Sequence, residues 1–345
     1  MISTYYVVFV AILVSFISTP LVRKFAIFIN AIDVPKDERR VHKKPIPKLG
    51  GLAIYLGFII ALILKEGPIT KPETGILIGS LIIVIGGFTD DLLDLKPWQK
   101  LFFQIAAACT LIAFGIKISM ITNPISNSNS YIRIGYVLGI ILTLIWVVGI
   151  TNAFNLIDGL DGLAAGIGII SSSTMALIAF LSGQGRIEAQ ILSLILAGAI
   201  LGFLPYNFNP ASIFMSDVGS QLIGFLLAAI SLEGAIKSAS AVVIAVPILA
   251  FGLPIYDTIF AIIRRKINGK PIMQADKGHL HHRLLAMGLS QKQAVVIMYL
   301  ISAVLGLMSV IVMQLANTKA YTVLAIVILI IVIIAFKFGI FNHKE

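Results

Sequence analysis

The chain has 345 residues, of which 58% are hydrophobic and only 12% charged, with a mean hydropathy of +1.00. Soluble domains carry roughly 25% charged residues, and a globular core of this size cannot hide so much apolar surface from water; the same figures exclude disorder. Lipid is the solvent these numbers require, and the net charge of +10 fits anionic headgroups and an anionic substrate better than nucleic acid.

A helix needs about 20 apolar residues to cross a bilayer. In chain order, eleven segments qualify: 4–22, 49–65, 74–89, 98–116, 134–151, 161–181, 187–204, 213–231, 237–263, 291–312 and 319–340. They are continuously apolar, which predicts helices and not the alternating strands of a barrel. No Lys or Arg precedes Arg23 and no small-residue cleavage site follows the first segment, so it is expected to remain as a span. The ninth segment is long and carries Pro247 and Pro254, which predicts a kink or a break. The single cysteine, Cys109, falls inside the fourth segment, leaving no basis for a disulfide framework or a cysteine metal site. The expectation is one all-α polytopic membrane domain over residues 1–345 with eleven transmembrane helices.

Eleven spans put the termini on opposite sides. Sorted by loop parity, 19 of the 26 Lys and Arg fall on one side and seven on the other. The positive-inside rule makes the richer side cytoplasmic, with the N-terminus outside and the C-terminus inside. All ten Asp fall at or near the same cytoplasmic ends. Spans alone give no reason for that segregation, so the chemistry is expected there.

The first chemical segment is Gly86-Gly87-Phe88-Thr89-Asp90-Asp91-Leu92-Leu93-Asp94, closing the third span. Two adjacent carboxylates at membrane depth repel unless a cation or proton is shared, and Mg²⁺ bridges carboxylates to substrate phosphates. Asp94 reads as a cap of the following helix. The second runs from Thr151 to Gly166 and holds Asn152, Asn155, Asp158 and Asp161 with no Lys or Arg. Its glycines let backbone approach a ligand, Asn155 and Asp158 are one helical turn apart, and it lacks the ligand spacing of an EF-hand. The third, residues 205–220, offers Asn207, Asn209, Phe214 and Asp217. Asp217, with amide and aromatic neighbours, ranks above Asp257, for which pairing with Arg264 or Arg265 is the simpler reading.

Two basic loops complete the set. Residues 33–51 contain Lys43, Lys44 and Lys48; residues 264–283 contain Arg264, Arg265, His279, His281, His282 and Arg283. The histidines have no acid or Cys spaced to finish a zinc tetrahedron but suit a diphosphate or sugar hydroxyls. Oxygen ligands, phosphate-neutralising cations and an Asn/Phe segment on one membrane face are the equipment of phosphoryl transfer. There is no Walker loop and no nucleophilic triad.

The blocks Pro47-Lys48-Leu49-Gly50-Gly51, Thr89-Asp90-Asp91, Asn152 to Leu163, Phe214-Met215-Ser216-Asp217-Val218-Gly219-Ser220 and His279-Leu280-His281-His282-Arg283 resemble the polyprenyl-phosphate N-acetylhexosamine-1-phosphate transferases, in order and over nearly the whole chain. The resemblance implies transfer of N-acetylglucosamine-1-phosphate from UDP-N-acetylglucosamine to undecaprenyl phosphate, with release of UMP. It implies Mg²⁺, or Mn²⁺ in its place, in the plasma membrane with a cytoplasmic active site, and dimers occur in the family. Carried over by position, Asn155 and Asp217 are metal ligands, and Asp161, Gly159, Asn207 and Phe214 meet uridine with Lys43 nearby. Asp90 and Asp91 flank the acceptor phosphate, while His279, His281, His282 and Arg283 meet sugar and diphosphate. Lys48, Asn152 and Arg264 count with the substrate-binding groups, and Asp158 and Asp161 with the catalytic acids.

The muramoyl-pentapeptide branch has a triple-His block and a Gly before the fourth-motif Asp. Here His-Leu-His-His-Arg and Ser216 stand instead, as in the branch that starts teichoic acid, O-antigen and related polymers. Two rivals are retained: the UDP-MurNAc-pentapeptide phosphotransferase, and an ion-coupled transporter. A transporter would place its buried acids near the bilayer midplane.

Overall fold

The computed structural model describes residues 2–35, 44–122, 131–183, 186–236, 245–269, 271, 278–315 and 317–337. Among these, the chain is helical apart from two short antiparallel strand pairs. The first elements are α1 (Ile2–Phe28), β1 (Ile32–Asp33), β2 (Ile46–Pro47), α2 (Gly51–Ile63), α3 (Lys71–Leu93) and α4 (Pro97–Ala113). A hairpin of β3 (Met120–Thr122) and β4 (Tyr131–Arg133) leads into α5 (Tyr136–Ile157), α6 (Leu163–Leu181), α7 (Ile187–Asn207) and α8 (Ser216–Ile236). The chain closes with α9 (Ala245–Ala250), α10 (Gly252–Ile267), α11 (Leu280–Ala286), α12 (Gln291–Met313) and α13 (Asn317–Lys337).

Each of the eleven apolar segments contains a helix, and the ninth is broken as its prolines predict, into α9 and α10 around Phe251. The hydroxyl of Ser171 donates to the carbonyl of Ala250 beside the break, at 3.1 Å. Six helices are long and apolar enough to cross a membrane: most of α1, and α3, α5, α6, α7 and α12. The apolar stretches Gly51–Ile63 and Lys319–Ile333 are shorter. Large apolar side chains face outward, Phe28, Trp98 and Phe102 among them, as lipid contact requires. This is an all-helical membrane protein.

Start signals are local. Thr70 and Glu73 form a capping box at α3, with the Glu73 carboxylate accepting the Thr70 N–H at 2.7 Å; Ser290 and Gln293 do the same at α12. Such caps satisfy N–H groups the helix leaves orphaned. Asp94 does not cap α4: it is the C-cap of α3, left-handed at φ 48°, and Lys96 stands at the N-cap of α4.

Helix α8 is buried from residue 218 to residue 234 and forms the axis around which the site is built. Glycines let three helices approach it closely. A Cβ on Gly87 of α3 would lie 2.7 Å from the Val218 Cα, one on Gly219 2.8 Å from the Gly51 Cα of α2, and one on Gly224 2.8 Å from the Ile150 oxygen of α5. Each contact lies within about a turn of a polar site residue: Gly87 before Asp91, Gly219 after Asp217, Ile150 before Asn155. Close backbone packing through small residues is the usual way helices associate in lipid. The same device joins α1 to α2 and α7, where a Cβ on Gly57 would sit 2.8 Å from the Ala11 oxygen and one on Gly198 3.0 Å from that of Val8.

Candidate active site

The segment before α8 docks on the segment before α2. Phe214 donates its N–H to the Pro47 carbonyl at 2.8 Å, while Gly50 and Gly51 donate to the carbonyls of Phe214 and Met215. The β1–β2 pair and the Lys48 N–H to Ala31 carbonyl bond fix the same stretch to the end of α1. These bonds bring Lys48 within 3.9 Å of Asp91.

At the start of α8, Ser216 is left-handed at φ 62°, a conformation costing a non-glycine residue roughly 1–2 kcal/mol. Its hydroxyl donates to Asp91 in a short hydrogen bond. Asp217 follows, and three partners converge on it and Asp90. The Lys100 ammonium lies 2.8 Å from Asp217 Oδ2 and 2.5 Å from Asp90 Oδ2. Asn155 donates its amide to Asp217 Oδ1 at 2.7 Å and to Ser220 at 3.0 Å. The other Asp90 oxygen accepts the Leu95 N–H at 2.8 Å. The side chains of Asp90 and Asp91 are each 4% exposed and that of Asp217 28%. Asp217 is thus the carboxylate a ligand from solution can reach.

One turn deeper, the same three helices carry an amide layer. Gln104 donates to Gln221 at 3.1 Å and to Asn152 at 3.3 Å, and Asn152 donates back at 2.7 Å. Buried amides in hydrocarbon need such mutual satisfaction.

A second cluster gathers the histidines. His279 Nδ1 is 2.7 Å from Asp257 Oδ2, and the Leu280 N–H donates to Asp257 Oδ1 at 2.9 Å. The rings of His279 and His281 are stacked, 10° from parallel with centroids 5.8 Å apart, and His282 lies 4.2 Å from His281. Burial, with the neighbouring His282 charge, pushes His281 down to about 3, so it is neutral at physiological pH. A Cβ on Gly159 would overlap the His281 ring, which gives that glycine its reason. Arg264 is buried and packs on Gly278, and Arg283 donates from Nε to the Gly278 carbonyl at 3.1 Å.

The corner between α5 and α6 joins the two clusters. Burial, then the charges of Asp217, Asp91 and Asp161, push Asp158 up to about 8, while its neighbour Gly159 touches His281. Asp158 is the C-cap of α5, with its N–H bonded to the Asn155 carbonyl one turn earlier. The rest of the corner is held by bonds within the protein. Asn207 accepts the Gly162 N–H and donates to the Ile213 carbonyl, and the Tyr299 hydroxyl donates to the Gly162 carbonyl at 2.5 Å. Asp161 Oδ2 accepts from Asn209 at 2.9 Å and from the Ala211 N–H at 3.0 Å.

Of the residues expected from the sequence, Lys48, Asp90, Asp91, Asn155 and Asp217 form the carboxylate cluster. His279, His281, His282, Gly159, Arg264 and Arg283 form the second, and Asp158 lies between. Asn152, Asp161 and Asn207 are engaged in framing bonds, Asn152 in the deeper amide layer. Lys43 lies outside the described residues. Three residues of the site belong to no motif in the sequence: Lys100, one more charge beside a span, and Gln104 and Gln221 inside spans. Their signal was polar side chains at i and i+4 on one face of an apolar helix. For Asp257 the structure gives His279 as a partner.

Residues 74–235 match the family described as glycosyl transferase family 4. The chain is 41% identical to a "Probable undecaprenyl-phosphate N-acetylglucosaminyl 1-phosphate transferase" of Bacillus subtilis (strain 168), over 97% of this chain and 92% of that protein. The chain belongs to glycosyl transferase family 4. It is 36% identical to a "Decaprenyl-phosphate N-acetylglucosaminephosphotransferase" of Mycolicibacterium smegmatis, over 93% of this chain and 86% of that relative. A "Phospho-N-acetylmuramoyl-pentapeptide-transferase" of Streptococcus thermophilus is 38% identical over only 56% of the chain and 61% of its own length. The protein is an enzyme of the membrane.

For a cation, the donor chemistry fits. Among the described residues, no three His, Cys, Asp or Glu side chains form a ligand cluster of their own. The Lys100 ammonium between Asp90 and Asp217 nonetheless shows that this position takes positive charge from hard oxygen donors. Mg²⁺ is commonly held by one or two carboxylates with substrate phosphates completing its shell.

Proposed function

We propose that this enzyme transfers N-acetylglucosamine-1-phosphate from UDP-N-acetylglucosamine to undecaprenyl phosphate, giving undecaprenyl-diphospho-N-acetylglucosamine and UMP. The single observation that carries the site assignment is the Lys100 ammonium shared by Asp90 and Asp217. A cation held between two carboxylates on different helices supports reading this position as the meeting point of the two phosphates. Residues 1–345 act as one integral membrane domain of eleven spans, N-terminus outside and C-terminus inside, with the site at the cytoplasmic face of the plasma membrane. The product would begin a cell-wall polymer such as a teichoic acid, and a homodimer is the expected assembly.

The chemistry is a single in-line displacement at the donor's β-phosphorus. The acceptor phosphate, with a second pKa near 6, attacks as a dianion, the bond to the UMP oxygen breaks, and UMP leaves with the electron pair. Asp217, held by Asn155, would carry Mg²⁺, which when bound neutralises charge on the donor diphosphate. Lys100 and Lys48 screen the approach of one anion to the other. Asp90 and Asp91 hold that pair of cations in place and are not required as bases. His282 and Arg283 contribute N–H donors toward diphosphate and sugar, and His279 offers an imidazole nitrogen toward the sugar hydroxyls.

UMP release tests the reading: full-length protein in detergent with UDP-N-acetylglucosamine, undecaprenyl phosphate and Mg²⁺ should release UMP, and omission of the lipid or addition of EDTA should stop it. UDP-MurNAc-pentapeptide consumed in preference would transfer the assignment to that branch. Movement of solute without UMP release would mean a transporter, and exchange of labelled UMP into UDP-sugar without lipid would replace the single displacement by a covalent intermediate.

A further inference from the structure

The acid in contact with the histidine cluster is Asp257, on α10, and both its oxygens are committed to consecutive residues. One lies 2.7 Å from His279 Nδ1 and the other accepts the Leu280 N–H at 2.9 Å. His279 is 5% exposed and the Asp257 side chain 9%, so water offers neither group an easy alternative partner. An ionised carboxylate only accepts hydrogen bonds. The proton must therefore be on Nδ1 of His279, and a neutral ring carries its lone pair on Nε2. The ring plane is fixed as well, since His279 stacks on His281 and His281 fills the space that any side chain at position 159 would need.

We propose that Asp257 is a positioning residue, whose carboxylate fork sets the tautomer and plane of His279 and, through the His279–His281 stack, the wall against which the Asp158–Gly159 corner rests. It acts on the transfer through His279 and touches no substrate. The inference rests on the reading that the histidine cluster serves that transfer. Carboxylate–histidine pairs of this kind at metal sites change affinity or activity by about 10- to 100-fold when the acid is removed, and a loss in that range is expected here.

The experiment has two arms. Full-length protein labelled with ¹⁵N-histidine is placed in nanodiscs at alkaline pH, and the His279 signals are identified by their loss in His279→Gln. Nδ1 should carry the proton in the unaltered enzyme and lose that preference in Asp257→Ala. A bare Nδ1 in the unaltered enzyme overturns the proposal, whether or not any variant folds. In the kinetic arm, Asp257→Ala should lower kcat by about 10- to 100-fold with a smaller change in KM, and Asp257→Asn should recover part of it. The Asp257→Ala/His279→Gln double variant should be no worse than His279→Gln alone; losses that multiply would mean that Asp257 acts by another route. If UDP-N-acetylglucosamine is not turned over at all, the proposed reaction fails while the tautomer result still decides the role of Asp257.

Discussion

Lys100 and Gln104 stand one turn apart on α4 and tie that helix to α8 at two levels, the first through the charge of Asp217, the second through the amide of Gln221. The levels are chemically distinct. The outer one is ionic and partly open, the inner one neutral and closed, so substitutions in them should fail in different ways.

Lys100→Met removes the cation between Asp90 and Asp217 and leaves two facing carboxylates. Loss of one preorganised charge-stabilising donor costs about 10²- to 10³-fold in kcat, and UMP release should fall by that order. Lys100→Arg should recover only part of it, because a planar fork does not replace a compact ammonium held between two single oxygens.

Gln104→Leu should act on stability first. It strips bonds from Asn152 and Gln221, and buried amides left unsatisfied cost about 1–3 kcal/mol. The apparent Tm in detergent should fall while the remaining folded enzyme keeps much of its activity.

Ser216 separates backbone from side chain. Ser216→Ala keeps the left-handed backbone and loses the hydrogen bond to Asp91; Ser216→Gly loses the same bond but relieves the backbone by roughly 1–2 kcal/mol. The glycine variant should therefore unfold at a higher temperature than the alanine variant, in parallel thermal scans.

Gly159→Ala should cut turnover, since the added methyl meets the His281 ring. Pairing it with His281→Ala restores space, so the double variant should bind UDP-sugar better than Gly159→Ala alone in a titration of the donor.

Asp158 makes stability depend on pH. Its folded value of about 8 lies above the ordinary 3.8, so the folded state holds this proton more tightly than the unfolded chain. The contribution is present in full below about pH 4 and is lost as pH rises towards 8. Apparent Tm should fall across that window, less steeply in Asp158→Asn, and millimolar Mg²⁺ should flatten the slope by offsetting the neighbouring carboxylates.

Much of this was legible in the residues. Every long apolar run became a helix because lipid permits little else, and the prolines at 247 and 254 marked the segment that breaks. Asp90, Asp91, Asn155 and Asp217 could be read because charge and amide at span ends are costly without a use. Lys100 was hidden by its surroundings: a basic residue beside a span end is ordinary in a membrane protein, and only the distance to Asp217 gives it a second role. Gln104 and Gln221 are 117 positions apart, and no local pattern announces their contact. Asn207 and Asp161 illustrate the converse, as polar residues inside a motif whose hydrogen bonds shape the loop itself.

The glycine seam between α1 and α7 has a consequence for genetics. A methyl on Gly202 would strike the backbone oxygen of Ile12, on the face of α7 that packs against α1. Alleles at Gly202 and at Asp217 would both score as dead in a screen for UMP release by membranes. Immunoblotting of membrane fractions would tell them apart, because the first kind would be scarce and degraded while the second would accumulate to ordinary abundance and do nothing.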